Sequence, residues 1–163
     1  MEGGPEHAAW AVAIQDSALG ALMRDSFVLY PIANLGHIFG LTFFVGSIAL
    51  LDLRLLGIGR AVPLPALARM LNPVILGALA LQVVSGVLLF SADAGHVWDN
   101  PVFRIKVALI ALGLVNAAWF RWRFGARYEG WDADPPAAGR AHAAISLFGW
   151  MLTAAAGRLI AYF

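Results

Sequence analysis

Cysteine is absent from this chain. That excludes structural disulfides, thiolate metal sites, iron–sulfur clusters and haem attached covalently through a C-x-x-C-H motif. Any metal is left to nitrogen, oxygen or thioether ligands. Charge is scarce too: 13% of the residues are charged, against about 25% in soluble domains. No basic run resembles a nucleic-acid arm and the net charge is only +1, so nucleic acid is not an expected partner. G-x-S-x-G, H-E-x-x-H and phosphate-loop motifs are missing, which leaves no legible nucleophile, zinc-hydrolase or nucleotide site and leaves open whether the chain is an enzyme. The acidic start, Met1-Glu2-Gly3-Gly4-Pro5-Glu6, lacks the basic region of a signal peptide, so no cleavage is expected there.

What is abundant is apolar: 61% of residues are hydrophobic. Four hydrophobic segments, at about 27–51, 71–91, 102–120 and 143–163, are each close to the ~20 residues a spanning helix needs. Pro31, Pro73 and Pro101 fall at or near the expected helix starts, where a missing N–H costs least. The fold class expected is an all-α membrane protein, a four-helix up-down bundle forming one domain over residues 1–163, with the lipid bilayer as its surroundings. Before the first span, Trp10, Ile14, Ala18 and Leu22 recur every four residues while Gln15, Asp16 and Arg24 lie elsewhere on the wheel. That pattern predicts a short interfacial helix over 8–25.

Basic residues set the orientation. Arg54, Arg60, Arg69, Arg121, Arg123, Arg127 and Arg140 lie in or beside the first and third connections; Arg24, Arg104, Lys106 and Arg158 lie on the other side. Seven against four places the first and third connections in the cytoplasm of a bacterial inner membrane, with both termini periplasmic.

His37, in Gly36-His37-Ile38-Phe39-Gly40, is an ionisable side chain about ten residues into an almost uncharged span. At ~1.5 Å per residue it lies roughly 15 Å deep, near the midplane, where such a residue points to function and to a partner. The flanking G-x-x-x-G pair admits a close helix neighbour or a flat macrocycle beside the imidazole, and so favours neither. His96 follows the second span and could reach a cofactor held by His37, although an exposed loop histidine is an equal reading. His142, at the opposite end of the bundle, is a poor axial partner. Lys106 and Arg158 could snorkel to lipid phosphate or face inward and bind haem propionates. Gln82, Ser85, Asn116, Ser146 and Thr153 read as interhelical hydrogen-bonding residues, with Gln82 and Asn116 as further candidates to orient His37. Asp52 is a candidate to pair with an arginine of the third connection. Trp98, Trp119, Trp122 and Trp131 read as an interface belt. Met23, Met70 and Met151 are scattered, with no copper-binding cluster.

The strings Met23-Arg24-Asp25-Ser26, Tyr30-Pro31, Gly36-His37-Ile38-Phe39-Gly40 and Asp52-Leu53-Arg54-Leu55-Leu56-Gly57 resemble an uncharacterised family of small bacterial four-helix membrane proteins. So do Ser85-Gly86-Val87-Leu88-Leu89-Phe90, Asn100-Pro101-Val102-Phe103-Arg104-Ile105-Lys106 and Gly157-Arg158-Leu159-Ile160-Ala161-Tyr162. At greater distance the layout is similar to the copper-resistance-D-like membrane proteins and the HemJ-type protoporphyrinogen oxidases. Those have a histidine in the first helix and a lysine opening a later one; the HemJ type binds haem b through such a histidine. The resemblance carries over to His37 and Lys106 only; the other polar residues of those families have no match here. Three readings follow. One is a haem-b protein of electron transfer or redox, with His37 as ligand and metal-binding residue, His96 as a candidate second ligand, and Lys106 and Arg158 as cofactor-binding residues. The second is an accessory subunit in a larger membrane complex or homo-oligomer. The third is copper or other metal handling.

Overall fold

The computed structural model describes residues 7–132 and 134–162; the acidic start and Phe163 lie outside them. Seven α-helices follow in order: α1 (Ala9–Gln15), α2 (Ala18–Asp25), α3 (Leu29–Leu55), α4 (Leu64–Ala92), α5 (Ala94–Asp99), α6 (Pro101–Phe124) and α7 (Ala137–Leu159), with 3-10 turns at Gly125–Gly130 and Ile160–Tyr162. Among the described residues all regular structure is helical, and four helices are long and apolar enough to cross a membrane. Large apolar side chains point away from the protein, among them Leu76, Leu112 and Phe148, each about two-thirds exposed (67%, 66% and 70%). The buried positions are mostly small or polar instead, such as Ala33, Ala78, Ala143, Ala156, Ser47 and Ser85. Such a distribution suits hydrocarbon surroundings, where helices associate by close packing and hydrogen bonds rather than by escape from water. The chain is an all-α, multi-pass membrane protein.

The long helices alternate in direction. Helix α3 packs on α4 and α7, and α6 packs on α7; α4 and α6 touch little along their lengths. We call the end where α3 starts the head and the end where it stops the base. At the base the helices outlast the apolar runs that the sequence marks. Helix α4 begins at Leu64 rather than near Leu71, so Pro73 lies inside it and not at its start, where it removes one main-chain hydrogen bond. Helix α3 stops at a glycine turn. Gly57, at φ +100°, lets its N–H reach Arg54 O (3.1 Å) and the Ile58 N–H reach Leu53 O (2.9 Å), which satisfies carbonyls that the helix end leaves open.

Arg54 ties this end together. Its buried guanidinium donates to Val62 O (2.7 Å) and to both the carbonyl and the carboxylate of Asp132 (3.1 Å each), and Asp132 also accepts from the Leu64 N–H (2.5 Å). The third connection is therefore pinned to the first by Arg54, whereas Asp52, expected to make such a pair, forms no ion pair among the described residues and lies beside Ser146. Arg54→Ala is expected to lower stability by about 1–2 kcal/mol in a detergent unfolding assay. That lies below the 3–5 kcal/mol typical of a fully buried pair, because the half-exposed Asp132 carboxylate can rehydrate.

At the head, the single interfacial helix expected over 8–25 is two. The break falls at Asp16–Ser17, and Ser17 caps α2 by accepting from the Gly20 N–H (3.3 Å). Gly20 comes so near α4 that a Cβ there would lie 2.7 Å from Ser91 O. Met23 is buried against Ala33 and Ala92, and Arg24 donates to Ala92 O (3.1 Å), closing the end of α4. Of the stripe picked out by periodicity, Ile14 and Leu22 are exposed and free to enter a lipid interface, while Trp10 is half-exposed and packs one side against Phe90 and Trp98.

Candidate functional site

Depth follows from the helix bounds. His37 lies eight residues after Leu29, and α3 is 27 residues long. At ~1.5 Å per residue, the imidazole is roughly 12 Å from the start of the helix and about 7 Å on the head side of its middle. On the neighbouring helix Ser85 lies seven residues before Ala92, so the antiparallel hairpin brings the two level.

The ring is oriented by that neighbour. His37 Nδ1 is 2.9 Å from Ser85 Oγ, and the same hydroxyl donates to Leu81 O at 2.6 Å. A hydroxyl has one proton to give. With it committed to Leu81, Nδ1–H must be the donor in the other bond, which leaves the lone pair on Nε2. That is the tautomer a metal-ligating histidine uses, with the second nitrogen fixed by a hydrogen bond. No protein group among the described residues bonds Nε2. Gln82 supports the same residue through its main chain, donating to His37 O at 3.0 Å.

One flank of the ring lies against a glycine. A Cβ at Gly86 would lie 3.3 Å from His37 Cε1, so only glycine leaves the imidazole flank clear. One turn above Gly86, Phe90 stacks on Phe103 of α6 (5.3 Å, 7° between planes), and Trp98 and Trp10 extend the cluster. This aromatic roof closes the gap between α4 and α6 at the head. One turn beneath Phe103 is Lys106, half-buried and laid across Gly157 of α7, where a Cβ would meet its Nζ at 3.2 Å. Lys106 has no hydrogen bond or ion pair among the described residues, and is near enough to His37 for the two to interact electrostatically.

The other expected site residues are placed elsewhere. His96 is exposed on α5 without a hydrogen bond among the described residues. Arg158 is exposed and donates to Tyr162 Oη (2.8 Å), its guanidinium 5.0 Å from that ring. Asn116 serves His142 and not His37. Its amide donates to His142 O (3.1 Å), and its carbonyl accepts from His142 Nδ1 (2.7 Å) beneath Phe120 and Phe124. Gly40 packs within the molecule, a Cβ there falling 3.4 Å from Ala78 O, so this half of the G-x-x-x-G pair serves the α3–α4 contact. Among the described residues no three His, Asp or Glu side chains gather as a metal-ion cage, and neither surface groove is lined by His37. Ser85 and Gly86 are the neighbours of His37 that hydropathy alone does not single out; the hairpin register is the signal that finds them.

A half-buried, oriented imidazole, a glycine at its flank, an aromatic roof and a cation unpaired among the described residues define a multi-pass helical membrane protein with a polar site in the head half of its bundle. No family model matches the chain, and no curated protein or solved structure matches it.

Proposed function

We propose that this protein binds haem b in the head layer, with His37 Nε2 as axial ligand, and serves electron transfer or redox chemistry in a bacterial inner membrane. The observation that supports this most is the His37–Ser85–Leu81 hydrogen-bond chain, which fixes the proton on Nδ1 and turns the unshared pair of Nε2 to a potential ligand. Bound there, haem b would supply a one-electron centre tuned by its axial ligands and the polarity around it. Gly86 lets the imidazole pack closely against α4, and the Phe90–Phe103 stack offers a bound macrocycle an apolar roof. Lys106 is the group for a propionate, since a half-buried ammonium with no counter-ion among the described residues is an incomplete pair. Copper handling gains no comparable support, because Met23 is buried while Met70 and Met151 are exposed on different helices. The basic residues gathered at the base favour a cytoplasmic base and a periplasmic head.

An absorption spectrum tests this. Full-length protein purified in mild detergent from haem-sufficient cells is expected to show a Soret band that shifts on reduction with dithionite. A folded preparation that stays colourless, and remains so after incubation with hemin, overturns the proposal. Ser85→Ala is expected to loosen haem retention by roughly tenfold or more, the usual cost of losing a ligand's orienting partner, as read by haem transfer to apomyoglobin.

A further inference from the structure

The base layer holds a second polar group that the head site does not use. Asp52 is 6% exposed, and its Oδ2 is enclosed with no hydrogen-bond partner among the described residues. Ser146 of α7 is the polar side chain beside the carboxyl. A buried carboxylate oxygen needs a counter-charge or a proton, and the position aggravates that need. Asp52 lies in the last turn of α3, where the helix end is itself partly negative.

None of the cations and other titratable groups nearby pairs with Asp52 among the described residues. Arg54, two residues on, is held by Val62 O and Asp132 through Nε and Nη2, and its enclosed Nη1 bonds nothing among the described residues, Asp52 included. On α4, Arg69 bonds its own Pro65 O (3.4 Å). On α7, Arg140 pairs with Asp134 (3.2 Å), His142 is bound to Asn116, and Arg158 lies at the head. On α2, Arg24 and Asp25 also belong to the head. Within α6, Arg121 and Arg123 are exposed. Apolar packing of Phe44, Ala78 and Trp150 separates Asp52 from His37 and Lys106.

We propose that Asp52 and Ser146 form a small-cation site at the base of the bundle, occupied by a proton or a sodium ion, and independent of the head site. The carboxylate supplies the charge and the serine hydroxyl a neutral oxygen, ligands that suit a hard monovalent ion or a proton and not a soft metal.

Thermal unfolding of the full-length protein in detergent tests it, with sodium chloride against choline chloride at pH 8, and in choline chloride at pH 8 against pH 6. If sodium is the occupant, the wild-type melting temperature rises by about 3–5 °C in sodium at pH 8. If the proton is, sodium has no effect and a similar rise follows acidification. In either case Asp52→Asn, which keeps the shape and removes the charge, loses the response and melts no lower than wild type without the ion. Ser146→Ala folds normally and weakens the response, and it decides the matter should Asp52→Asn fail to fold. A wild-type melting temperature indifferent to both sodium and acidification overturns the site. So does a response that Asp52→Asn, or Ser146→Ala in its place, retains in full.

Discussion

His37→Ala removes the Soret band from the purified protein while leaving the helical circular dichroism spectrum intact. The loss should be near complete, because the substitution deletes the nitrogen proposed as axial ligand, which the Ser85 bond orients within the head layer. The structural cost should be small by comparison. Ser85 keeps its bond to Leu81 O, so no buried hydroxyl is stranded, and Gln82 bonds the His37 carbonyl, which alanine retains. A melting temperature within a few degrees of wild type, together with a missing band, separates ligand loss from misfolding. Retention of the full band by the alanine variant would remove His37 from the site.

Trp150→Ala is expected to produce the largest loss of stability, about 2–4 kcal/mol in a detergent unfolding titration. The indole is 5% exposed, meets the Phe44 ring edge-on at 4.6 Å, and fills the notch at Gly113, where a Cβ would lie 2.8 Å from its Cζ2. Alanine leaves a void among three helices, and a void forfeits the contacts of every atom that lined it. The cost falls somewhat below that in a soluble core, because an unfolded Trp in a bilayer or micelle is not returned to water. Gly113→Leu attacks the same contact from α6 and should destabilise by a similar amount, while the double variant should cost less than the sum, since each removes the same fit. A loss below about 0.5 kcal/mol for Trp150→Ala would mean that the layer repacks freely.

The four crossings were legible because hydropathy is a property of the chain itself, and each apolar run announces its helix wherever the neighbours lie. The ends were less so. Helix α4 runs on through Leu64–Met70, beyond the apolar window, because main-chain hydrogen bonding continues past the hydrocarbon limit. His37 stood out for the same reason as the spans, as a polar exception in a uniform stretch. Its neighbours did not, since Ser85 and Asn116 are equally plausible partners until the hairpin registers are known. The α3–α4 register gives Ser85 to His37, and the α6–α7 register gives Asn116 to His142. The tryptophans divide in the same way. Trp119 and Trp122 are exposed near the base, as a belt would have them, while Trp131 packs on Gly139 and Phe124, where a Cβ at 139 would lie 2.5 Å from its ring. Composition cannot distinguish a lipid-facing indole from one that closes a core.

The layer of Phe44, Ala78 and Trp150 with Ile48, Ile75 and Ile110 has an electrical consequence. It is an insulating septum between the head and base polar groups, and in such a bundle the membrane voltage falls mainly across the dry section, at about 2.3 kcal/mol per elementary charge per 100 mV. Charge exchanged at the head with the adjacent solution would cross little of that field, whereas charge passing between His37 and Asp52 would cross most of it.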